Sequence, residues 1–343
     1  MNNAWIQKLT VALLIGANAW CSTLTWAQTT GNNTNPSPGA GSNAPWPNKS
    51  LRLVVTFPAG GSSDASARIV APKLAERLGQ SVVVDNRPGA GGAIGLDLVA
   101  KSAPDGYTLV LASAGGLTAN PYLYPNLSYN PSTDFAPITL FGTSPFVLIA
   151  NPSLPAKNVK ELIALAKKEV GKLSYASGGN GTAMHLSGEL LKSMTQSYIL
   201  HVPYRGSAPA MMSVMAGETQ LAIADIATIQ SQMKSGRIKI LGVMSKERSS
   251  LAPEIPTLSE SGVPGFESNG WFAILAPAQT PASIITKLNV EITSVLKQAD
   301  VLDKFAQAGL EPLSSSPEQL SQYMKSESNK WSAVIKQSGA KVD

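Results

Sequence analysis

One cysteine and two histidines stand among the 343 residues of this chain, and those shortages exclude a good deal of chemistry. Cys21 lies in an N-terminal stretch with the marks of a removable leader, so no disulfide framework, thiol chemistry or cysteine metal site is expected. His185 and His201 fit neither a His-x-x-x-His metal pair nor a Ser-His-acid order. Charge is sparse too, at 14 % of residues, and the 27 Lys and Arg against 22 Asp and Glu are scattered. A nucleic-acid binder would gather that +5 excess into a stripe interleaved with aromatics. Beyond the leader, no apolar run is long enough to span a bilayer.

What is present begins with that leader. Residues 1–27 carry one cation, Lys8, then an apolar run from Leu9 to Trp20, then Thr25 and Ala27 at the −3 and −1 positions of a cut after Ala27. This is a secretory signal, and the mature chain is expected in the periplasm. Trp20 is too bulky before Cys21 for lipoprotein processing. Residues 28–47, rich in Asn, Gly, Pro, Ser and Thr, read as a disordered tether. The rest, roughly 290 residues, suffices for two lobes.

Strand-like runs alternate with helix-period segments through that body. Strands are predicted at 51–57, 82–85, 108–112 and 146–150, then at 173–176, 199–202, 220–224, 238–243 and 270–277. Helices are predicted between most of them, one at 226–235, and three more at 281–298, 301–308 and 317–338 close the chain. Such alternation means parallel sheets covered by helices, an α/β fold. The first lobe is expected at 48–147 plus 275–343 and the second at 148–274, with hinge crossings near Ile149 and Ala273.

Two turns carry the chemistry. In Phe57-Pro58-Ala59-Gly60-Gly61-Ser62-Ser63 a β-branched strand turns sharply into a helix, aiming the amides of Ala59 to Ser63 outward at the positive end of a helix dipole. The same residues also suit a helix start capped by its own Ser62 or Ser63. Asp64, one turn before Arg68, reads as an i,i+4 structural pair. The second turn is Ser177-Gly178-Gly179-Asn180-Gly181-Thr182, where glycines permit close approach and Ser177, Asn180 and Thr182 offer neutral hydrogen bonds. Ser113-Ala114-Gly115, after the third strand, is expected beside the first turn.

Other candidates have two readings. Asp225 is either the cap of helix 226–235 or a group in the site that repels a second ligand carboxylate and accepts from an amine, hydroxyl or ring nitrogen. Arg87 and Arg205 are direct anion clamps or surface residues, and His185 and His201 are buried structural histidines unless His185 faces the cleft. The run Gly89 to Gly95 fails the dinucleotide spacing, because Ile94 stands where the third glycine belongs.

Several motifs together carry a resemblance. They are Phe57-Pro58-Ala59-Gly60-Gly61-x-x-Asp64, Asn86-Arg87-Pro88-Gly89-Ala90-Gly91-Gly92, Ala103-Pro104-Asp105-Gly106-Tyr107 and Asn151-Pro152-Ser153-Leu154-Pro155. Leu173 to Thr182, His201-Val202-Pro203-Tyr204-Arg205-Gly206-Ser207 and Ile255-Pro256-Thr257 follow in the same order. From about residue 50 almost to its end the chain resembles the Bug-type solute-binding receptors of tripartite tricarboxylate transporters. The resemblance implies a two-lobed, type II-like periplasmic-binding-protein clamshell, without a cofactor or metal. It implies a small carboxylate (a di- or tricarboxylate, an aromatic acid or an amino acid) held by amides and ordered water, and delivery by a monomer to one large and one small membrane subunit. Two features depart from the family pattern: Gly116-Leu117 where a Thr-His pair is common, suggesting a more apolar pocket wall, and Ala224-Asp225 where Asp-Asn is common. Two rivals remain: a sensor presenting the acid to a membrane kinase, and a secreted enzyme using Asp225 with His185.

Overall fold

The computed structural model describes residues 45–340, so the expected signal and residues 28–44 of the tether lie outside the described residues. The strands are β1 (Leu51–Val55), β2 (Val82–Asn86), β3 (Thr108–Ser113), β4 (Phe135–Ser144), β5 (Phe146–Ala150) and β6 (Ser174–Ser177). They continue with β7 (Leu200–Pro203), β8 (Leu221–Asp225), β9 (Lys239–Val243), β10 (Gly270–Pro277) and β11 (Glu311–Pro312). The helices are α1 (Ser62–Leu78), α2 (Ala93–Ala100), α3 (Ala114–Thr118), α4 (Asn120–Leu123), α5 (Val159–Lys168) and α6 (Ala183–Thr195). After them come α7 (Ser207–Ala216), α8 (Ile226–Ile229), α9 (Ala282–Leu296), α10 (Ala299–Gln307) and α11 (Pro317–Ser338).

Two sheets result, in the orders β11-β4-β10-β3-β1-β2 and β7-β6-β8-β5-β9. In the first, β1 runs parallel to β2 and β3; in the second, β6 runs parallel to β7 and β8. One strand that has crossed from the neighbouring lobe is then inserted antiparallel beside each trio: β10 between β3 and β4, and β5 between β8 and β9. The lobes therefore share one wiring, with β1, β2 and β3 answering to β6, β7 and β8. Ligands of open α/β sheets bind beyond the carboxyl ends of such strands, so the turns after β1, β3, β6 and β8 are where a site belongs.

The sheets are mixed rather than purely parallel, because the crossing strands add antiparallel pairs. β5 joins the second sheet from Phe146 and β10 the first from Gly270, so the crossings fall at Pro145 and just before Gly270, a few residues earlier than expected. All five residues of β5 and all eight of β10 are buried, and a continuous apolar run carries no mark of which sheet it joins. β4 was not anticipated. Its sequence includes Pro137 and Gly142, and its pairing with β10 shifts register twice, which blurs the two-residue period. The helix expected at 226–235 is a single turn, α8, continued by a 3₁₀ turn at Gln230–Gln232.

Both faces of each sheet are packed. Along β10, Phe272, Ile274 and Ala276 join a core with Leu53, Leu111 and the helices α1 and α9, while Trp271, Ala273 and Leu275 join the opposite core with Val54, Val110 and Leu96. At about 1.5–3 kcal/mol per buried large aliphatic or aromatic side chain, these layers dominate the stability of either lobe. Helix α11 starts at a capping box of Ser316 with Gln319 and stops at Gly339 in the left-handed region. It packs against β4 and α3 of the first lobe and α6 of the second. Its buried Glu327 accepts the indole N–H of Trp271 at 3.2 Å and of Trp331 at 3.1 Å. Among the described residues, no helix is long and apolar enough to cross a membrane.

Candidate ligand-binding cleft

The turns that follow the parallel strands face each other across a cavity of about 640 Å³. From the first lobe it is lined by Phe57 through Ser63, Ser113, Ala114 and the β10 residues Gly270, Trp271 and Phe272. From the second come Phe146, Gly178, Thr182, Ala183, Met184, the segment Arg205 through Pro209, Met211, Asp225, Ala227 and Thr228. Its walls are largely apolar, and Arg205 and Asp225 are the only charged residues among those lining it.

Three helices of ten or more residues, α1, α6 and α7, point their N-termini into this space, and the short helices α3 and α8 also begin at its edge. At α1 the amides of Gly61, Ser62 and Ser63 have no partner among the described residues. Gly60 is different: its N–H donates to Asp64 at 2.9 Å, so it is already spent inside the turn. Asp64 also accepts from Arg68 at 3.0 Å and from the Asn86 amide at 3.0 Å, which ties the turn to β2. Burial acts to raise the Asp64 pKa, but Arg68, the Gly60 amide and Asn86 outweigh it and hold the carboxyl below the usual carboxylate range. The i,i+4 pair expected for Asp64 is present, and it braces the first jaw. No side chain of Ser62 or Ser63 caps α1; its N-cap is Gly61.

The second jaw is displaced from its expected place. Only Gly178 and Thr182 of the Ser177–Thr182 turn line the cavity; Ser177, Gly179 and Asn180 do not. The Ser177 hydroxyl is fully buried, 2.6 Å from His201 Nε2 and 3.1 Å from the Gly179 nitrogen that donates to it. Gly179, at φ +127°, lies against the Tyr204 carbonyl. Thr182 caps α6 by accepting from the His185 N–H, and the cavity meets the next residues, Ala183 and Met184, whose amides have no partner among the described residues.

The third helix start, Arg205-Gly206-Ser207-Ala208-Pro209 at the head of α7, was foreseen only as Arg205. Gly206 adopts φ +115° and donates to the Gly178 carbonyl at 3.2 Å, which docks this turn on the second jaw. The signal was in the sequence: Gly-Ser between a strand and a helix occurs at Gly61-Ser62 and again at Gly206-Ser207. The hydrophobic lining of Phe146, Met184, Met211, Trp271 and Phe272 was also missed, since nothing local distinguishes a cavity wall from core.

Gly115 does not line the cavity. It is where the lobes touch, since a Cβ there would lie 3.0 Å from the Gly181 carbonyl and 3.3 Å from the Ala183 nitrogen. Gly116 and Leu117 are buried beside Leu96 rather than forming a pocket wall. Arg87 pairs with Asp85 on the lobe surface and is absent from the cavity.

His185 and His201 stack under the second jaw with ring centroids 4.0 Å apart, and Tyr175 continues the stack at 5.0 Å from His201. Burial, then His185 and Lys192, push His201 down to about 3. Burial also lowers His185, against the pull of Glu189. Both rings are thus neutral at neutral pH, and His185 Nδ1 accepts from the Gly181 N–H at 3.3 Å. Neither histidine lines the cavity, so Asp225 and His185 do not form a catalytic pair there.

Asp225 heads α8, accepting from the Thr228 N–H at 2.8 Å, and its other oxygen accepts from the Ser62 hydroxyl of the opposite lobe at 3.3 Å. It both caps a helix and faces the cavity, so the two readings of this residue describe one geometry.

Comparison with known proteins agrees with this architecture. The family model for the tripartite tricarboxylate transporter family receptor, TctC, matches residues 66–340. Protein BugT of Bordetella pertussis is 37 % identical over 298 residues, covering 87 % of this chain and 91 % of that protein. R. palustris Rpa4515, solved with adipate, superposes with a TM-score of 0.80 at 36 % identity, covering 87 % of this chain and all of that one, 100 %. MatC of Rhodopseudomonas palustris, solved with bound malate, gives a TM-score of 0.76 at 30 % identity over 84 % of this chain and 100 % of that one. With its two-lobed periplasmic-binding-protein fold, the chain belongs to the receptor family of the tripartite tricarboxylate transporters.

Proposed function

We propose that this chain captures a small carboxylate in the cleft between its lobes, outside the cytoplasm, and presents it to the membrane components of a tripartite tricarboxylate transporter. The observation that carries the reading is the convergence of three helix N-termini, α1, α6 and α7, on one largely apolar cavity. Each end is equivalent to about half a positive charge. Fixed amide dipoles in a largely apolar cleft hold an anion without reorganising and with little screening by salt. Relatives solved with adipate and malate support an acid as the occupant.

Residues 1–27 act in this reading as the export signal, and the receptor works as a monomer with one large and one small membrane subunit. It is a binder rather than an enzyme. The Ser62 hydroxyl bonds the Asp225 carboxylate in the cavity, but among the described residues no histidine, lysine or cysteine lines it beside them. Mass spectrometry of ligand released from the purified protein, followed by thermal-shift screening of small acids, tests the reading. The expected result is a bound organic acid returned unchanged after incubation. A chemically altered product, or no stabilisation by any acid, overturns it.

A further inference from the structure

Asp225 is a lone anion in a cavity built to hold an anion, and that needs an explanation beyond helix capping. It is buried to 4 % exposure and lines the cavity. Thr228 N–H and Ser62 Oγ occupy one acceptor site on each carboxylate oxygen. An ionised carboxylate has about four such sites and donates nothing, so further acceptor capacity remains for a ligand. Its placement is as telling as its charge. The hydroxyl it accepts from belongs to Ser62, whose own amide is one of the unpartnered donors at the head of α1. A second ligand carboxylate on this side would lie against Asp225 in a site where like charges repel with little screening.

We propose that Asp225 makes the cleft select acids with a single carboxylate and, at the far end, a hydrogen-bond donor such as a hydroxyl or ammonium group, over diacids of the same length. The proposal rests on the carboxylate-receptor reading and narrows its ligand class. The carboxylate takes the Ala183 and Met184 amides at the head of α6 together with Arg205, and the donor end takes the remaining lone pairs of Asp225, which lies beside Ser62 at the head of α1. Three helix ends and Arg205 against one carboxylate leave the site a net positive charge of between one and two, suited to one ligand anion.

The test uses the exported chain and isothermal titration calorimetry near neutral pH. The probes are succinate, adipate and longer linear diacids, each with its ω-hydroxy and ω-amino monoacid. An ω-hydroxy or ω-amino acid should bind at least tenfold tighter than the diacid of equal length. Asp225→Asn keeps a capping side chain and should abolish or invert that preference. Asp225→Ser, which retains a capping hydroxyl at α8, should do the same and guards against misfolding of the first variant. Diacids binding wild type as tightly as their ω-substituted partners, or a preference unchanged in the variants, overturns the role of Asp225 alone. Absence of binding by every acid, in wild type and variants alike, overturns the receptor reading beneath it.

Discussion

Gly309 offers the sharpest test of whether the lobes must meet as they do here. It follows α10 in the first lobe, next to the cavity residue Ala308, and adopts φ +68°. A Cβ at this position would lie 2.7 Å from the nitrogen and 2.8 Å from the Cβ of Ala227, on α8 of the second lobe. Backbone atoms cannot swing aside as a flexible side chain can. To restore ordinary carbon–carbon contact at about 3.5–4.0 Å, the lobes must part locally by about 1 Å. That movement would also break the 3.3 Å bond from Ser62 to Asp225 across the cleft. Gly309→Ala therefore carries two costs: left-handed strain of about 1 kcal/mol, and an overpacking cost of about 1–3 kcal/mol felt only when the lobes are together. Gly79→Ala separates them, because Gly79 has φ +69° but no atom within 4 Å of the added carbon. Both variants should lose about 2–4 °C in ligand-free Tm. Calorimetry with an acid chosen by screening should show unchanged affinity for Gly79→Ala and a loss of roughly 5- to 150-fold for Gly309→Ala. Wild-type affinity in Gly309→Ala would mean that the bound state does not need this closure, and the reasoning would fail.

Three further outcomes follow from buried groups. His201 and His185 stay neutral in the folded protein while an unfolded histidine protonates below about 6.5, so the unfolded state binds more protons as pH falls toward about 3. Stability should decline over that window, by up to about 2 kcal/mol for His201 at pH 5, and His201→Gln should flatten urea-denaturation free energies measured from pH 7 to 5; an unaltered slope would refute the assignment. Asp64 loses its stabilising partners in a separate window, below its ordinary 3.8. At neutral pH, Asp64→Ala should cost about 1–2 kcal/mol and weaken acid binding at least tenfold by freeing the Gly60 turn; unchanged affinity would remove Asp64 from the jaw. Glu327→Ala strands two indole N–H groups and should cost about 3 kcal/mol with a shift in tryptophan emission, whereas Glu327→Gln keeps an acceptor and should cost about 1 kcal/mol.

How far the cleft was legible before the fold was known depended on whether a turn is fixed locally or by distant partners. Phe57 to Ser63 reaches the cavity as expected because strand, glycine pair and helix start are contiguous, with Asn86 of β2 bracing the turn they already form. Asn180 and Gly179 had the same local signature and miss it. Their turn is pulled back by Ser177, whose hydroxyl is bonded to His201, a residue 24 positions away that arrives only through the parallel pairing of β6 with β7. No local pattern announces that bond. The amides without a partner among the described residues on this side are instead those of Ala183 and Met184, and Gly206 and Ser207 complete the lining. Duplicated wiring made this readable in principle. Once the turns after β1 and β6 are taken as equivalent, those after β3 and β8 are equivalent too, so Ser113 and Asp225 occupy matching posts on facing lobes. One post carries a neutral hydroxyl and the other a carboxylate, and that asymmetry is what would make one end of a bound acid different from the other.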